Sequence, residues 1–286
     1  MNDNTVTHMV HEVDSIVADR AINGEAAATG ALRETLLAYE QRYLLASPGY
    51  FILSGLTHLD EASTRRFVLV VSATLGEPMP DDFSGNLIRE VRYRGVALEE
   101  SATARYSDTR QGGNLHTDGM HRPGAIPIYF TLFCVRQAAV GGALVLVHID
   151  DLVRELRQDP EVVKALCEPV HFDTRADDPR HPRTVLRPIL EIGDQAPQIA
   201  YLREYVDSGH RQPGIPSLST AQIHAMDQLD ALLERADLQL HLQLEPGQMI
   251  VVNNRTIVHG RTPFEQRSNG ENERLLLRTW VGTRHG

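Results

Sequence analysis

Gln111-Gly112-Gly113-Asn114-Leu115-His116-Thr117-Asp118-Gly119 is the stretch on which the reading of this chain turns. It sets an imidazole and a carboxylate two residues apart. In an extended or just-ending strand, residues i and i+2 point the same way, so His116 and Asp118 can close on one ion from one side. Two ligands do not complete a site, and an isolated His-x-Asp arises often by chance. The best third candidate is His259, in Val251-Val252-Asn253-Asn254-Arg255-Thr256-Ile257-Val258-His259-Gly260-Arg261. Two histidines and one carboxylate on one face of an ion, with the opposite positions open, form the donor set of a non-haem Fe(II) centre. Asn253, Asn254, Arg255 and Arg261 strengthen that reading. Polar groups at the end of a Met-Ile-Val-Val strand cost desolvation unless they are paired or line a wet cavity.

Composition narrows the classes around this motif. At 286 residues and 42% hydrophobic, the chain can bury one large core. A formal net charge of −10 and a pI near 5.7 argue against a nucleic-acid or anionic-membrane surface. The N-terminus carries no cationic segment followed by an apolar run, and the longest apolar stretch, near Ile126 to Val135, is too short to span a bilayer. Cys134 and Cys167 are the only cysteines, each in an apolar context, which fits a reduced, cytoplasmic protein without a disulfide framework.

Outward from the motif, the pattern is of strands framed by helices. Residues 1–28 are polar and Ala-rich, which predicts a loosely held arm. Leu32, Leu36, Tyr39 and Tyr43 recur at helical spacing until Ser47-Pro48-Gly49. Tyr50 to Leu53 reads as a strand. A second helix starts at the N-cap Asp60, lines Phe67, Val68, Val71 and Leu75 on one face, and ends at Gly76. Short strands are expected over Leu87 to Tyr93 and Thr103 to Ser107. Ile126 to Val135 is a strand, Gly141-Gly142 a turn, and Ala143 to His148 the returning strand. Two short helices follow, the second capped by Asp159 with Pro160 at its first position. Thr184 to Ile192 and Gln198 to Leu202 are expected strands. Residues 203–218 read as a long irregular connection, a candidate active-site lid. Ser219-Thr220-Ala221-Gln222 is a capping box opening a helix, and Leu238 to Leu244 alternates as a half-buried strand. The economical architecture is one domain over 1–286, mainly β, with a double-sheet or barrel-like core and flanking α-helices.

The last strand carries Arg274-Leu275-Leu276-Leu277-Arg278. An even spacing sends both guanidinium groups to one face of a leucine strand, where they could converge on one dianion. Such a pair suits bidentate carboxylate binding.

Taken together, His-x-Asp, the Gly-Gly turn, Asn-Asn-Arg…His-Gly-Arg and Arg-x-x-x-Arg-x-Trp resemble the taurine dioxygenase/clavaminate synthase-like family, from about Tyr50 to the C-terminus. The resemblance implies a double-stranded β-helix (jelly-roll, cupin-like) core. It implies an Fe(II)- and 2-oxoglutarate-dependent dioxygenase that consumes O2, releases succinate and CO2, and hydroxylates an unactivated carbon. His116, Asp118 and His259 would be the iron ligands. Arg274 would hold the distal carboxylate of 2-oxoglutarate, with Arg278 assisting it or meeting the substrate. One position departs: the threonine that often follows the Gly-Gly turn is Leu144 here. Thr131 or Thr279 could substitute for it, or Arg278 could be the main anchor. Because halogenating relatives lack the carboxylate, Asp118 implies oxygenation.

Candidate substrate contacts are Gln111 and Asn114 before the metal motif, His121 and Arg122 after it, and Arg203 and Asp207 in the long connection. Their mixed charges suit a small amino acid or a derivative of one. A desaturase or cyclase of the same family, a zinc hydrolase and a non-catalytic cupin-like binding protein are the alternatives.

Overall fold

The computed structural model describes residues 9–81, 85–95, 109–175, 181–193, 196–265 and 273–284. The strand expected over Thr103 to Ser107 and the side chain of Asn114 lie outside what is described.

Two β-sheets face each other. The larger is built from β1 (Val10–Glu12), β2 (Tyr50–Ser54), β3 (Pro78–Met79), β4 (Arg89–Val91), β6 (Tyr129–Arg136), β14 (Met249–Asn253) and β17 (Leu275–Val281). Their order is β1-β2-β14-β6-β17-β3, with β4 also paired to β17. The smaller contains β5 (Gly113–His116), β8 (Leu144–His148), β13 (Leu240–Leu242) and β15 (Ile257–Arg261), in the order β13-β8-β15-β5. Three two-stranded ribbons complete the set: β7 (Val140–Gly141) with β16 (Phe264–Glu265), β9 (Pro169–Asp173) with β10 (Thr184–Pro188), and β11 (Leu190–Glu191) with β12 (Gln198–Ile199).

Alternation along the strands divides the molecule into layers. Phe130, Leu132 and Cys134 of β6 meet Leu144 and Leu146 of β8 and Ile257 of β15 between the sheets. The intervening Tyr129 and Phe133 face α1 (Ser15–Ile22), α2 (Ala26–Tyr39) and α3 (Glu61–Leu75) on the outer face of the larger sheet. Val147 and Val258 face the other way, toward α4 (Ile149–Leu156), α5 (Pro160–Cys167), α6 (Arg203–His210) and α7 (Thr220–Leu233). Each such apolar side chain contributes about 1.5–3 kcal/mol on full burial. The mainly β core with flanking helices is therefore as expected. Among the described residues no helix is long and apolar enough to cross a membrane.

Two segments depart from expectation. The front arm is not loose from residue 9 onward: β1 pairs with β2, and α1, capped by Asp14, buries Ala18 and Ala21. Small alanines let that helix sit close to its neighbours without the large apolar stripe that pattern reading looks for. The connection 203–218 begins as α6, whose polar sequence holds only Val206 as a large buried residue. Its Gly209 lies so close to β9 that a Cβ there would be 2.2 Å from the His171 carbonyl oxygen. Contact with β9, rather than local propensity, makes this a helix.

Candidate metal centre

His116 and His259 are direct cross-strand partners in the β5–β15 pair. Residues opposite each other in an antiparallel pair project to the same face, and here the ring centroids are 4.5 Å apart. Since Ile257 points between the sheets, so does His259 two residues on, where the Phe130 ring of the larger sheet lies 4.1 Å away. Asp118 follows the end of β5 and is held by its backbone. Asn254 accepts a hydrogen bond from the Asp118 N–H (2.7 Å) and donates to the Asp118 and Pro127 carbonyls, both at 2.9 Å. Thr117 exchanges backbone and side-chain hydrogen bonds with Tyr201, at 2.9 Å each.

This clamp brings one ligand atom from each of His116, Asp118 and His259 within 4.8 Å of one another. Nε2 of His116 is 3.8 Å from Oδ1 of Asp118, and Nε2 of His259 is 3.8 Å from Oδ2. These separations are too long for hydrogen bonds yet short enough for donors about 2.1 Å from a shared ion. Oδ2 of Asp118 is buried and has no hydrogen-bond partner among the described residues. The protonation states also suit a cation. Burial works against the Asp118 carboxylate, but Arg278, His259 and His116 more than offset it and hold its pKa down at about 2. Burial, then the neighbouring His116, lowers His259 to about 3, leaving a neutral imidazole. The three side chains therefore fit a divalent metal ion.

A second feature is a pair of desolvated arginines. Arg274 is 1% exposed and faces no carboxylate among the described residues. It donates to Oε1 of Gln137 (3.1 Å) and to the Gly142 carbonyl (3.3 Å), while Nη1 is buried without a partner. Arg261 shares its surroundings, both guanidinium groups lying over the Phe264 ring at 4.7 and 5.2 Å. Desolvation, with Arg261 adding repulsion, pushes Arg274 down to about 9, and desolvation pushes Arg261 to about 10. Two desolvated cations without a counter-ion are costly unless an anion joins them. The Gly-Gly turn makes the space. Gly142 has φ +76°, and a Cβ there would come 2.9 Å from Nε of Arg274.

The candidate triad is the donor set that the sequence motifs point to, whereas the guanidinium that shares the surroundings of Arg274 is that of Arg261 and not of Arg278. The sequence profile of the family described as taurine catabolism dioxygenase TauD, TfdA matches residues 18–280. The chain belongs to the TauD/TfdA family. FR-33289 synthase of Streptomyces rubellomurinus (strain ATCC 31215) is 26% identical over 223 residues, which cover 76% of this chain and 63% of that protein. A uridine-5'-phosphate dioxygenase of a Streptomyces species is 29% identical over 189 residues, covering 60% of this chain and 66% of the relative. The chain thus spans slightly less than two thirds of these two relatives. Among solved structures, asparagine oxygenase in complex with Fe(II), 2S,3S-3-hydroxyasparagine and succinate superposes with a TM-score of 0.73 at 19% identity, covering 96% of this chain and 94% of the other. The non-heme iron oxygenase OrfP in complex with Fe and alpha-ketoglutaric acid gives 0.69 at 17%, with the same coverage. These two likenesses establish the TauD-like fold.

Several family-derived expectations need correction. Thr131 cannot replace the missing threonine, and neither can Thr279. Both are paired across β6 and β17 and project to the outer face, where Ser72 of α3, Thr279 and Thr131 form a buried hydroxyl chain at 2.6 and 2.7 Å. The side chain that orients Arg274 is Gln137, at a position sequence reading passed over. Leu144 joins the apolar core between the sheets. Arg278, unlike Arg274, is engaged by carboxylates: it donates from Nη1 to Oδ1 of Asp118 (2.8 Å) and from Nη2 to Oδ1 of Asp81.

The candidate substrate contacts also divide. His121 packs edge-on against Tyr205, with ring centroids 5.0 Å apart, and Arg122 lies over Trp280 at 5.5 Å while donating to the Pro80 carbonyl. Both stay next to the metal loop. Gln111 is exposed, and its carbonyl accepts from Arg261 at 2.6 Å. Arg203 and Asp207 are drawn elsewhere: Arg203 pairs with Asp227 (2.9 Å), Asp230 (2.8 Å) and Asp207 (3.3 Å), tying α6 to α7. A guanidinium committed to three carboxylates is a structural tie between the two helices.

Proposed function

We propose that the chain is a non-haem Fe(II)- and 2-oxoglutarate-dependent oxygenase that hydroxylates an unactivated C–H bond of a small polar metabolite, the chemistry residing in one catalytic domain. One observation supports this: the chain carries both a converging His116, Asp118 and His259 set and a buried Arg274 with no carboxylate partner among the described residues. A zinc hydrolase would have use for the first but not the second. His116, Asp118 and His259 would hold Fe(II), and Arg274, oriented by Gln137 with Arg261 beside it, would neutralise the distal carboxylate of 2-oxoglutarate. The bound metal and co-substrate supply the oxidising power, and the balance is R–H + O2 + 2-oxoglutarate giving R–OH + succinate + CO2. The chain's own residues do the positioning. Asn254 fixes the Asp118 backbone, Phe130 fills the space against His259 and excludes water there, and the neutral His259 imidazole offers a lone pair rather than charge.

For the substrate, an amino acid or amino-acid derivative is supported by the mixed polar groups flanking the metal loop and by the fold shared with asparagine oxygenase. A nucleoside monophosphate is the second reading, supported by the uridine-5'-phosphate dioxygenase relatives. The test is anaerobic addition of Fe(II) and 2-oxoglutarate, read as a visible charge-transfer band, followed by succinate release in air across free amino acids and nucleoside monophosphates. The wild type should give the band and His116→Ala should not. Absence of the band in the wild type, with tight zinc binding in its place, would refute the assignment.

A further inference from the structure

Asp118 does not stand alone against the ion. One of its oxygens accepts from Nη1 of Arg278, and the other guanidinium nitrogen of Arg278 binds a second carboxylate, Asp81. All three side chains are removed from solvent, at 3% exposure for Asp81, 4% for Asp118 and 11% for Arg278. The guanidinium also lies over the Trp280 ring at 4.8 Å. Asp81 in turn is fixed: its N–H donates to the Asn86 carbonyl at 2.8 Å, and Nη1 of Arg89 approaches its other oxygen at 3.4 Å. The sequence places Asp81 just past α3 and β3, far from the metal motifs, and nothing in its local pattern marks it.

We propose that Asp81 is a positioning residue of the metal centre, acting through Arg278 on Asp118. The inference rests on the reading that His116, Asp118 and His259 hold a metal ion. Two physical effects support it. The first is geometric. A guanidinium fork bound at one nitrogen can still swing about its terminal torsions, whereas carboxylates on both nitrogens fix its plane. That fixed plane holds Oδ1 of Asp118 and leaves Oδ2, the oxygen without a partner, turned toward His259. The second is electrostatic. Asp118 and Arg278 together are neutral, and Arg278 repels a nearby dication. Asp81, which Arg89 approaches in turn, screens that Arg278 charge from the ion, an effect that needs Arg278 to be present. The same saturation keeps Arg278 from acting as a free anchor for a substrate anion.

The experiment is calorimetric titration of Fe(II) under anaerobic conditions, with Co(II) as a redox-stable check, into the wild type, Asp81→Asn, Asp81→Glu, Arg278→Gln and Asp81→Asn/Arg278→Gln. Asn keeps the size and one acceptor oxygen but not the charge, so Asp81→Asn should fold and bind metal roughly 10- to 100-fold more weakly. Asp81→Glu, which keeps the charge, should recover most of that loss. In the Arg278→Gln background the Asp81→Asn change should alter affinity less than about twofold, because the effect passes through Arg278. Wild-type affinity in Asp81→Asn overturns the proposal, and so does an equal loss with and without Arg278, which would mark a general structural role. A wild type that takes up no metal refutes the underlying metal reading instead, a result distinct from either.

Discussion

Arg274 and Arg278 are four residues apart at the start of β17, yet their surroundings are opposites. Arg278 has a carboxylate on each of two nitrogens, one of them the metal ligand Asp118. Arg274 has an amide oxygen, a peptide carbonyl and a buried nitrogen with no partner. A saturated guanidinium serves the protein's own geometry. An unsaturated one, desolvated beside Arg261, suits an anion that arrives from outside. Sequence spacing places both on the same strand but cannot distinguish them, because the distinguishing partners, Asp81 and Gln137, come from elsewhere in the chain.

The largest effect should come from breaking the open end of this contrast. Arg274→Ala should weaken 2-oxoglutarate binding by about two orders of magnitude or more, since it removes one partner of a buried charge pair. Fe(II) affinity measured without the co-substrate should change little. Equal damage to both would erase the distinction between the two arginines. Gly142→Ala should come next. It forces a side chain into a positive-φ position and toward Nε of Arg274, so the KM for 2-oxoglutarate should rise, roughly tenfold for each ~1.4 kcal/mol of lost binding. The complementary substitution, Arg278→Gln, should weaken metal binding and leave the affinity of Arg274 for the co-substrate nearly intact, checked by calorimetry with a redox-inert divalent metal present. The smallest functional effect is expected from Thr131→Val. It should cost about 1–3 kcal/mol of stability in denaturant titrations, by breaking the buried hydroxyl chain, while the KM for 2-oxoglutarate stays at the wild-type value. A raised KM there would reinstate Thr131 as a co-substrate contact.

Much of the architecture was legible because it is written in local periodicity. Asp60 caps α3 as its side chain predicts, accepting from the Ser63 N–H at 2.7 Å. Pro160 opens α5 behind the Asp159 cap, and Ser219 with Gln222 forms the reciprocal capping box of α7. The candidate ligand set, whose donor atoms the fold brings together, was legible for a different reason: His116 and Asp118 are close in sequence, and the polar company of His259 ends an apolar strand. What was not legible depends on packing between distant segments. The helix at Arg203–His210 is polar along most of its length and is stabilised by contact with β9, which no window of sequence contains. Thr131 was misassigned because choosing the face of a strand requires the register. In the observed register Thr131 opposes Thr279, and both point outward, whereas Phe130 and Trp280 point inward.

The pairing of His116 with His259 has a consequence for how the protein matures. The two imidazoles come together only when β5 docks on β15, so closing the triad means closing a loop of well over a hundred residues. Loop closure on that scale is slow and costs chain entropy before any contact returns it. Moreover, a slip of β15 by one residue would turn Val258 inward and His259 out toward the helices. The completeness of the site thus depends on the register of β15 as well as on its sequence. On the proposed reading of the site, a chain whose strands are out of register offers the ion no complete triad.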